Sequence, residues 1–131
     1  MITLTKEQIF ILHKCIYDRY GGLYGLRDEG LLDSALMAPF QTFAGEDLYP
    51  EDKDKIAHMA YALIGNHPFR DGNKRIGALT LLTLLQLNGY EVKADNEELT
   101  ELIYRVAQGA GNDRDIKYWI ETHEKPTNSL D

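Results

Sequence analysis

The sequence has few of the features that mark secreted proteins. It contains one cysteine, Cys15, which excludes an intrachain disulfide framework and fits a reducing compartment. Cys15 falls within a helical pattern, so we expect a buried small side chain there rather than a nucleophile. The N-terminus also lacks the basic start and the long apolar stretch of a signal peptide. These absences predict a cytoplasmic protein.

The chain also lacks a membrane-spanning run and a positive net charge. Its most apolar segment, residues 76–87, is interrupted by Thr80, Thr83 and Gln86 and is too short to cross roughly 30 Å of hydrocarbon. The formal net charge is −7 and the pI is about 5.0. A phosphate backbone or an anionic membrane is bound by summed positive charge. We therefore expect no direct nucleic-acid binding and no membrane binding.

Apolar residues recur at helical spacing along most of the chain, which predicts an all-α fold. Glycine and proline separate the helices, for example at residues 21–25 (GGLYG) and at Pro68, which disfavours helix in the residue before it. The predicted helices are one capped by Thr5, one over about residues 28–38, one from Glu51 to near His67, one over about residues 73–88, one starting at Asp95 with Glu98, and one capped by Asp113.

The fourth predicted helix is apolar on nearly every side, and a helix without a polar face belongs at the centre of a bundle. Between the second and third helices, Thr42-Phe43 and Leu48-Tyr49 flank a short turn. This pattern is compatible with a small β-hairpin or with an irregular loop. We predict a single domain over residues 1–124, followed by a disordered tail over residues 125–131.

The segment HPFRDGNKRIG, residues 67–77, concentrates polar chemistry between two apolar helices. Its three cations against one aspartate give a local charge of +2 (3 − 1) in an acidic chain, which indicates a bound anion. The first N–H groups of the following helix have no internal partners and form an anion site. Gly72 can adopt a left-handed conformation there. Asn73 is predicted to cap the helix or to reach a ligand with its amide, and Lys74 and Arg75 would add positive charge.

Asp71 and His67 add chemistry that anion binding alone does not need. A carboxylate beside a phosphate repels the ligand unless a cation intervenes, so Asp71 predicts Mg²⁺ between the two. The imidazole of His67 can accept a proton near neutral pH. A general base, a magnesium ligand and anion-binding amides are together the parts of phosphoryl or nucleotidyl transfer to a hydroxyl. The alternative to a catalytic site is a structural connector that carries surface charge. Each of these residues, taken alone, is compatible with such a connector.

The remaining candidate groups carry less chemistry. His58 and His67 are nine residues apart across a helix end and fit no metal-ligand spacing. His13 and His123 fall in amphipathic helices, where we expect them to be partly exposed. Trp119 is predicted to be a core residue.

The loop resembles the signature of the Fic/Doc (Fido) family. HPFRDGNKRIG matches the family pattern H-x-F-x-[DE]-G-N-x-R at every specified position. RYGGLYGLRDEGLLDSAL, residues 19–36, is similar to the N-terminal region of the death-on-curing (Doc) branch. The likeness runs from about Thr5 to Tyr118. It implies a small helical bundle in which residues 41–49 form a β-hairpin flap that aligns a target segment by strand-like pairing.

The resemblance also implies a role for each residue of the loop. His67 would deprotonate the hydroxyl of a target protein, and Asp71 would hold Mg²⁺ on the phosphates of ATP. Phe69 would anchor the loop in the core. The residues implied to bind the ATP phosphates are Gly72, Asn73, Lys74 and Arg75.

Position 74 bears on which group is transferred. The AMP-transferring Fic pattern continues G-N-G-R-x-x-R, whereas this chain has Lys74 and Ala78 at the small-residue and second-arginine positions, as in Doc. In Doc the γ-phosphate faces the histidine, which implies phosphorylation of a Ser or Thr hydroxyl, and the known target is elongation factor Tu. We therefore expect a Doc-type toxin kinase. Because the Asp71-Gly72 pair is of the Fic type, protein adenylylation stays an alternative, as does a catalytically silent nucleotide-binding or interaction module.

A regulatory partner is also implied by the resemblance. Fic enzymes are often restrained by an inhibitory [ST]-x-x-x-E-[GN] helix, and the nearest approach to this pattern, residues 3–8, fails at its last position. We therefore expect no built-in inhibitor. A toxin without one implies a separate antitoxin that acts in trans, commonly a disordered segment that folds onto the bundle.

Overall fold

The computed structural model describes residues 1–93 and 96–125, and helices make up most of that part of the chain. The predicted all-α bundle with a short β-hairpin is confirmed. The predicted helix start at Asp95 and the tail beyond Lys125 lie outside the described residues, so the domain limits stay a prediction. The elements are α1 (Lys6–Tyr20), α2 (Glu29–Met37), a 3-10 turn (Ala38–Phe40), β1 (Thr42–Phe43), β2 (Glu46–Asp47), α3 (Asp52–Asn66), α4 (Asn73–Leu87), α5 (Asn96–Ala107) and α6 (Asp113–His123).

The helices begin where side chains can satisfy their free N–H groups. Thr5 caps α1 in a reciprocal box with Gln8, and the carboxylate of Asp28 accepts from the Leu31 N–H at 3.0 Å to cap α2. The cap of α6 is Asn112 rather than the predicted Asp113. The side-chain Oδ1 of Asn112 accepts from the backbone N–H groups of Arg114 and Asp115. Asp113 therefore lies in the first turn, where its charge complements the helix dipole.

The centre of the bundle is shared by α3 and α4. α4 packs against α1, α3 and α5, as its apolar sequence predicts, and α3 also packs against α2 and α6. The two helices approach closely at Gly77, where an added Cβ would collide with the side chain of Ile64. This contact fixes the start of α4 relative to the end of α3. Among the described residues, no helix is long and apolar enough to span a membrane.

Residues 42–47 form a β-hairpin. Of the two structures that the sequence allowed here, the hairpin is therefore correct and the irregular loop is not. Thr42 pairs with Asp47 and Phe43 with Glu46, so the second strand is not the predicted Leu48-Tyr49. Ala44 and Gly45 both have positive φ, 53° and 82°, and such two-residue turns match the twist of antiparallel strands. A shorter turn than expected therefore moves the second strand towards the N-terminus.

Two predictions about which side chains of α1 are buried are wrong. Ile9, His13 and Ile16 point into the bundle, so His13 is only 3% exposed and not partly exposed as predicted. Cys15 lies on the opposite face and is exposed, which contradicts the buried position expected for it. Both residues fit a helical period, but the period alone did not identify which face is buried. Trp119 is buried and His123 is half-buried, as predicted.

Candidate active site

The loop between α3 and α4 begins with a left-handed histidine. His67 ends α3 with φ 50° and ψ 55°, a conformation that non-glycine residues rarely adopt. Arg27 holds it there: its Nε donates to the His67 carbonyl at 2.7 Å and its Nη2 donates to the Asn66 carbonyl at 2.9 Å. These carbonyls at the end of α3 would otherwise lack partners. His67 is exposed.

The segment before α2 pairs with the loop through its backbone. The N–H groups of Arg27 and Asp28 both donate to the Pro68 carbonyl, at 2.8 and 3.0 Å, and the Arg70 N–H donates to the Gly25 carbonyl at 3.0 Å. Sequence reasoning missed Arg27 as a residue of the site. Its contact with His67 joins residues 40 positions apart, and no local spacing indicates such a pair.

Asn73 closes the loop. Its Oδ1 accepts from the Phe69 N–H at 3.0 Å, its Nδ2 donates to the Phe69 carbonyl at 2.9 Å, and the same Nδ2 lies 3.2 Å from Nδ1 of His67. Asn73 is therefore not the helix cap that was predicted, because Gly72, with φ 75°, occupies that position. The carboxamide is buried and committed to the loop. Phe69 is 2% exposed, as expected for an anchor in the core.

Asp71 presents an exposed carboxylate at the other side of the loop. Its Oδ1 accepts from the Gly72 N–H at 2.9 Å and its Oδ2 accepts from the Leu23 N–H at 3.3 Å. These bonds, that of Gly72 first, lower the pKa of the Asp71 carboxyl below its ordinary value. Gly22 makes the approach possible, because a Cβ at this position would collide with the carboxylate.

The Asp71 carboxylate is chemically suited to bind a magnesium ion whose other contacts are mainly oxygen atoms of a bound ligand. The group is ionised, exposed and of the hard oxygen type that Mg²⁺ prefers, and each oxygen keeps a free lone pair beside its one hydrogen bond. Within residues 1–93 and 96–125 there is no group of three or more His, Cys, Asp or Glu side chains that could hold a metal. His58 is not paired with His67 and instead contacts the Asp113 carboxylate at 2.9 Å.

Two tyrosines hold the cations of the first turn of α4. The Arg75 guanidinium lies 3.9 Å from the centroid of the Tyr20 ring, and the Lys74 ammonium lies 5.4 Å from that of Tyr104. These tyrosines were not singled out in the sequence, since they belong to α1 and α5. Each contact keeps a cation at the mouth of the cleft, and Arg75 also interacts electrostatically with the Asp71 carboxylate.

An open cleft of about 630 Å³ brings the predicted site residues together. It lies between the loop, the N-terminus of α4 and one face of α5. Arg70, which has no specified place in the loop motif, lines the same cleft. The predicted residues that line it are His67, Asp71, Gly72, Asn73, Lys74 and Arg75, and the wall contributed by α5 consists of Leu99, Thr100, Ile103 and Tyr104.

Comparison with known proteins identifies the family. Residues 3–85 match the model of the Fic/DOC family. "Toxin Doc" of Mycolicibacterium smegmatis is 42% identical over 76 residues, a match that covers 58% of this chain and 58% of that protein. "Protein kinase doc" of Escherichia phage P1 is 30% identical over 106 residues, which cover 81% of this chain and 82% of the phage protein. The chain therefore belongs to the Fic/Doc family and to its Doc branch.

Proposed function

We propose that this protein is a Doc-type toxin that transfers a phosphoryl group from Mg-ATP to a Ser or Thr hydroxyl of a target protein. The observation that carries the proposal is the convergence of His67, the Asp71 carboxylate and the N-terminus of α4 on one cleft. A base, a metal ligand and an anion site are the parts that phosphoryl transfer needs. The names of the two relatives, a toxin and a protein kinase, agree with it.

The phosphates would be held by the first turn of α4. The N–H groups of Asn73 and Lys74 lie at the positive end of the helix dipole, and the neighbouring N–H of Gly72 donates to the Asp71 carboxylate. Because the Asn73 carboxamide is engaged with Phe69, Asn73 contributes its backbone rather than its side chain. Lys74 and Arg75 add charge from the same turn. Asp71 would hold Mg²⁺, which when bound neutralises charge on the phosphate oxygens.

His67 would act as the base. It takes the proton of the target hydroxyl as the hydroxyl oxygen forms a bond to the γ-phosphorus of ATP. The bond from that phosphorus to the β–γ bridging oxygen breaks, and ADP leaves with the electron pair. The phosphorylated side chain and the protonated imidazole remain. Asn73 donates to Nδ1 of His67, so the neutral ring carries its proton on Nε2. The new proton is therefore accepted at Nδ1, and the ring gives up its contact with Asn73 when this happens.

Adenylyl transfer is the second candidate, and the Asp71-Gly72 pair favours it. The same residues would then act on ATP bound in the opposite direction, with attack at the α-phosphorus and loss of pyrophosphate. Lys74 and Ala78 favour the kinase, because the AMP-transferring pattern has a small residue and an arginine at these positions. A silent binding module is disfavoured by His67, since nucleotide binding needs no base.

The target would reach the cleft along the hairpin. Phe43 of β1 is 75% exposed, and the two-residue strands keep free edges that can pair with an extended peptide. We propose a translation factor as the target, with elongation factor Tu as the first to test. An antitoxin in trans would block the protein in the producing cell.

The deciding experiment supplies ATP labelled at either the α- or the γ-phosphate. Purified protein is incubated with Mg²⁺, each ATP and elongation factor Tu, and then with whole lysate. Label that reaches protein only from the γ position supports the kinase, whereas label only from the α position overturns it. His67→Ala should abolish transfer and retain ATP binding, and His123→Ala, which changes a histidine outside the cleft, should leave transfer unchanged.

A further inference from the structure

His13 is a buried histidine that the proposed reaction does not use. It is 3% exposed, and its ring is stacked on Phe69 with centroids 3.8 Å apart and planes 7° apart. Its Nε2 lies 2.8 Å from the carbonyl oxygen of Asp71. A carbonyl can only accept, so Nε2 carries the proton and donates it. One side chain of α1 therefore supports two residues of the loop, 56 and 58 positions away in the sequence.

The peptide between Asp71 and Gly72 is held at both of its ends. Its carbonyl accepts from His13 on the side of α1, while its N–H points to the opposite side and donates to Oδ1 of Asp71 at 2.9 Å. The hydrogen bond from this N–H is the largest cause of the lowered pKa of the Asp71 carboxyl. The orientation of this one peptide thus determines both where the carboxylate is held and which way the Gly72 N–H points.

Glycine at position 72 permits the opposite orientation. Turning the peptide by about 180° changes φ of the following residue by the same amount, and glycine is stable at both positive and negative φ. Gly72 has φ 75°, and a Cβ at this position would be in ordinary van der Waals contact with α1, 3.5 Å from Nε2 of His13. In the turned orientation the N–H would face the interior and leave the carboxylate. The hydrogen bond from His13 opposes this change.

We propose that His13 is a positioning residue that keeps the Asp71–Gly72 peptide oriented for binding of Mg-ATP. The expected effect of His13 on catalysis rests on the proposed function, whereas its effect on the orientation of the Asp71–Gly72 peptide does not. His67 is held by other contacts, from Arg27 to its carbonyl and from Asn73 to its ring. Loss of the His13 hydrogen bond should therefore raise KM for Mg-ATP and leave kcat within about twofold.

The test compares His13→Gln with His13→Met. Both side chains are similar in length and both lose the stacked ring, but only glutamine keeps a donor at the position of Nε2. We expect His13→Met to raise KM for Mg-ATP about five- to tenfold, the effect of one hydrogen bond to a neutral group, and His13→Gln to stay within about twofold. His123→Gln and His123→Met form the matched control pair, because His123 also contacts a backbone carbonyl, that of Trp119, and stacks on an aromatic ring. Neither control variant should change KM.

A second measurement does not depend on activity. Because both variants lose the ring current of His13, the amide signal of Gly72 in a ¹H–¹⁵N NMR spectrum of the free protein should move in both, but it should move further or broaden only in His13→Met. If His13→Met does not fold, His13→Phe, which keeps a ring over Phe69, takes its place with the same expectation. Equal KM values and equal Gly72 signals in the donor and non-donor variants would overturn the role of His13. If the unsubstituted protein neither binds nor uses Mg-ATP, the proposed function fails, and the Gly72 signal still decides whether His13 sets the peptide.

Discussion

The carboxamide nitrogen of Asn73 lies 3.2 Å from Nδ1 of His67 while it also donates to the Phe69 carbonyl. The carboxamide cannot turn over without breaking both of its bonds to Phe69, so it can only offer a donor to the ring. In the free protein Nδ1 of His67 is consequently an acceptor, and a neutral ring holds its proton on Nε2.

This contact predicts the tautomer of His67. The ¹⁵N shifts of its ring in the free protein at pH 8 should be those of the Nε2–H form, and Asn73→Asp should change them, because a carboxylate prefers to accept from Nδ1–H. A ring that is protonated at Nδ1 in the unsubstituted protein would contradict the assignment.

Arg27 is expected to affect the rate rather than the binding of ATP. Arg27→Met removes two donors from carbonyls at the end of α3 and allows His67 to leave its left-handed conformation. We expect kcat to fall about tenfold or more, since two hydrogen bonds from a charged donor are lost, with KM for Mg-ATP nearly unchanged. Arg114→Met, at an exposed position of α6, is the control. A rise in KM alone would contradict this role.

Gly22 and Gly21 offer a matched pair of substitutions. Both have positive φ, 96° and 73°, so alanine strains the backbone at either position. Only at Gly22 does the added Cβ meet the Asp71 carboxylate, whereas nothing lies within 4 Å of it at Gly21. We expect both variants to lose thermal stability, but a raised Mg²⁺ requirement for transfer in Gly22→Ala alone. Titration of activity with Mg²⁺ measures the difference.

Lys55 is expected to position the hairpin. This buried lysine of α3 donates to the Asp47 carboxylate at 3.1 Å and to the carbonyl of Tyr49. Lys55→Met should speed hydrogen exchange of residues 42–49 about tenfold, because the hairpin loses its link to the bundle. KM for the target protein should rise while KM for Mg-ATP does not. Lys53→Met removes an ion pair with Glu124 instead, and it should change neither KM.

Asp71 should make stability depend on pH in acid. Its pKa in the folded protein is below the ordinary value of 3.8, so unfolding raises the pKa and the unfolded chain binds the proton more readily. The stabilising contribution is present above the unfolded value and is lost as the pH falls through the folded one. The difference in unfolding free energy between the protein and Asp71→Asn should be constant above about pH 5 and shrink below pH 4. Urea unfolding at several pH values tests this expectation, and a constant difference down to pH 2 would contradict it.

Local signals were sufficient to predict the helices and the loop. Capping by Thr5 and the restriction imposed by Pro68 act within a few residues, so helix ends were located to within about one residue. The identity of the loop residues and their common cleft also followed from the sequence, since they are consecutive in the chain. The second hairpin strand was predicted at the wrong position. A two-residue turn and a four-residue turn give nearly the same sequence pattern, so the sequence did not distinguish them.

The contacts that orient the loop could not be predicted in this way. His13 and Arg27 reach it across 58 and 40 positions, and only the packing of α1 and α2 on the bundle brings them there. Helical periodicity placed His13 and Cys15 in α1, but which face is buried depends on the neighbouring helices. The role of Asn73 was also missed, because the preference of asparagine for helix caps describes an average and not this tight loop.

The pairing of residues 25–28 with residues 66–70 also has a consequence for synthesis of the protein. These contacts are non-local, and non-local contacts form late because the intervening chain must first be ordered. A nascent chain whose synthesis has not yet reached α5 would lack the wall of the cleft that includes Tyr104. We therefore expect nascent chains to remain inert until most of the sequence has been translated, which gives any regulatory partner time to meet the protein before it becomes active.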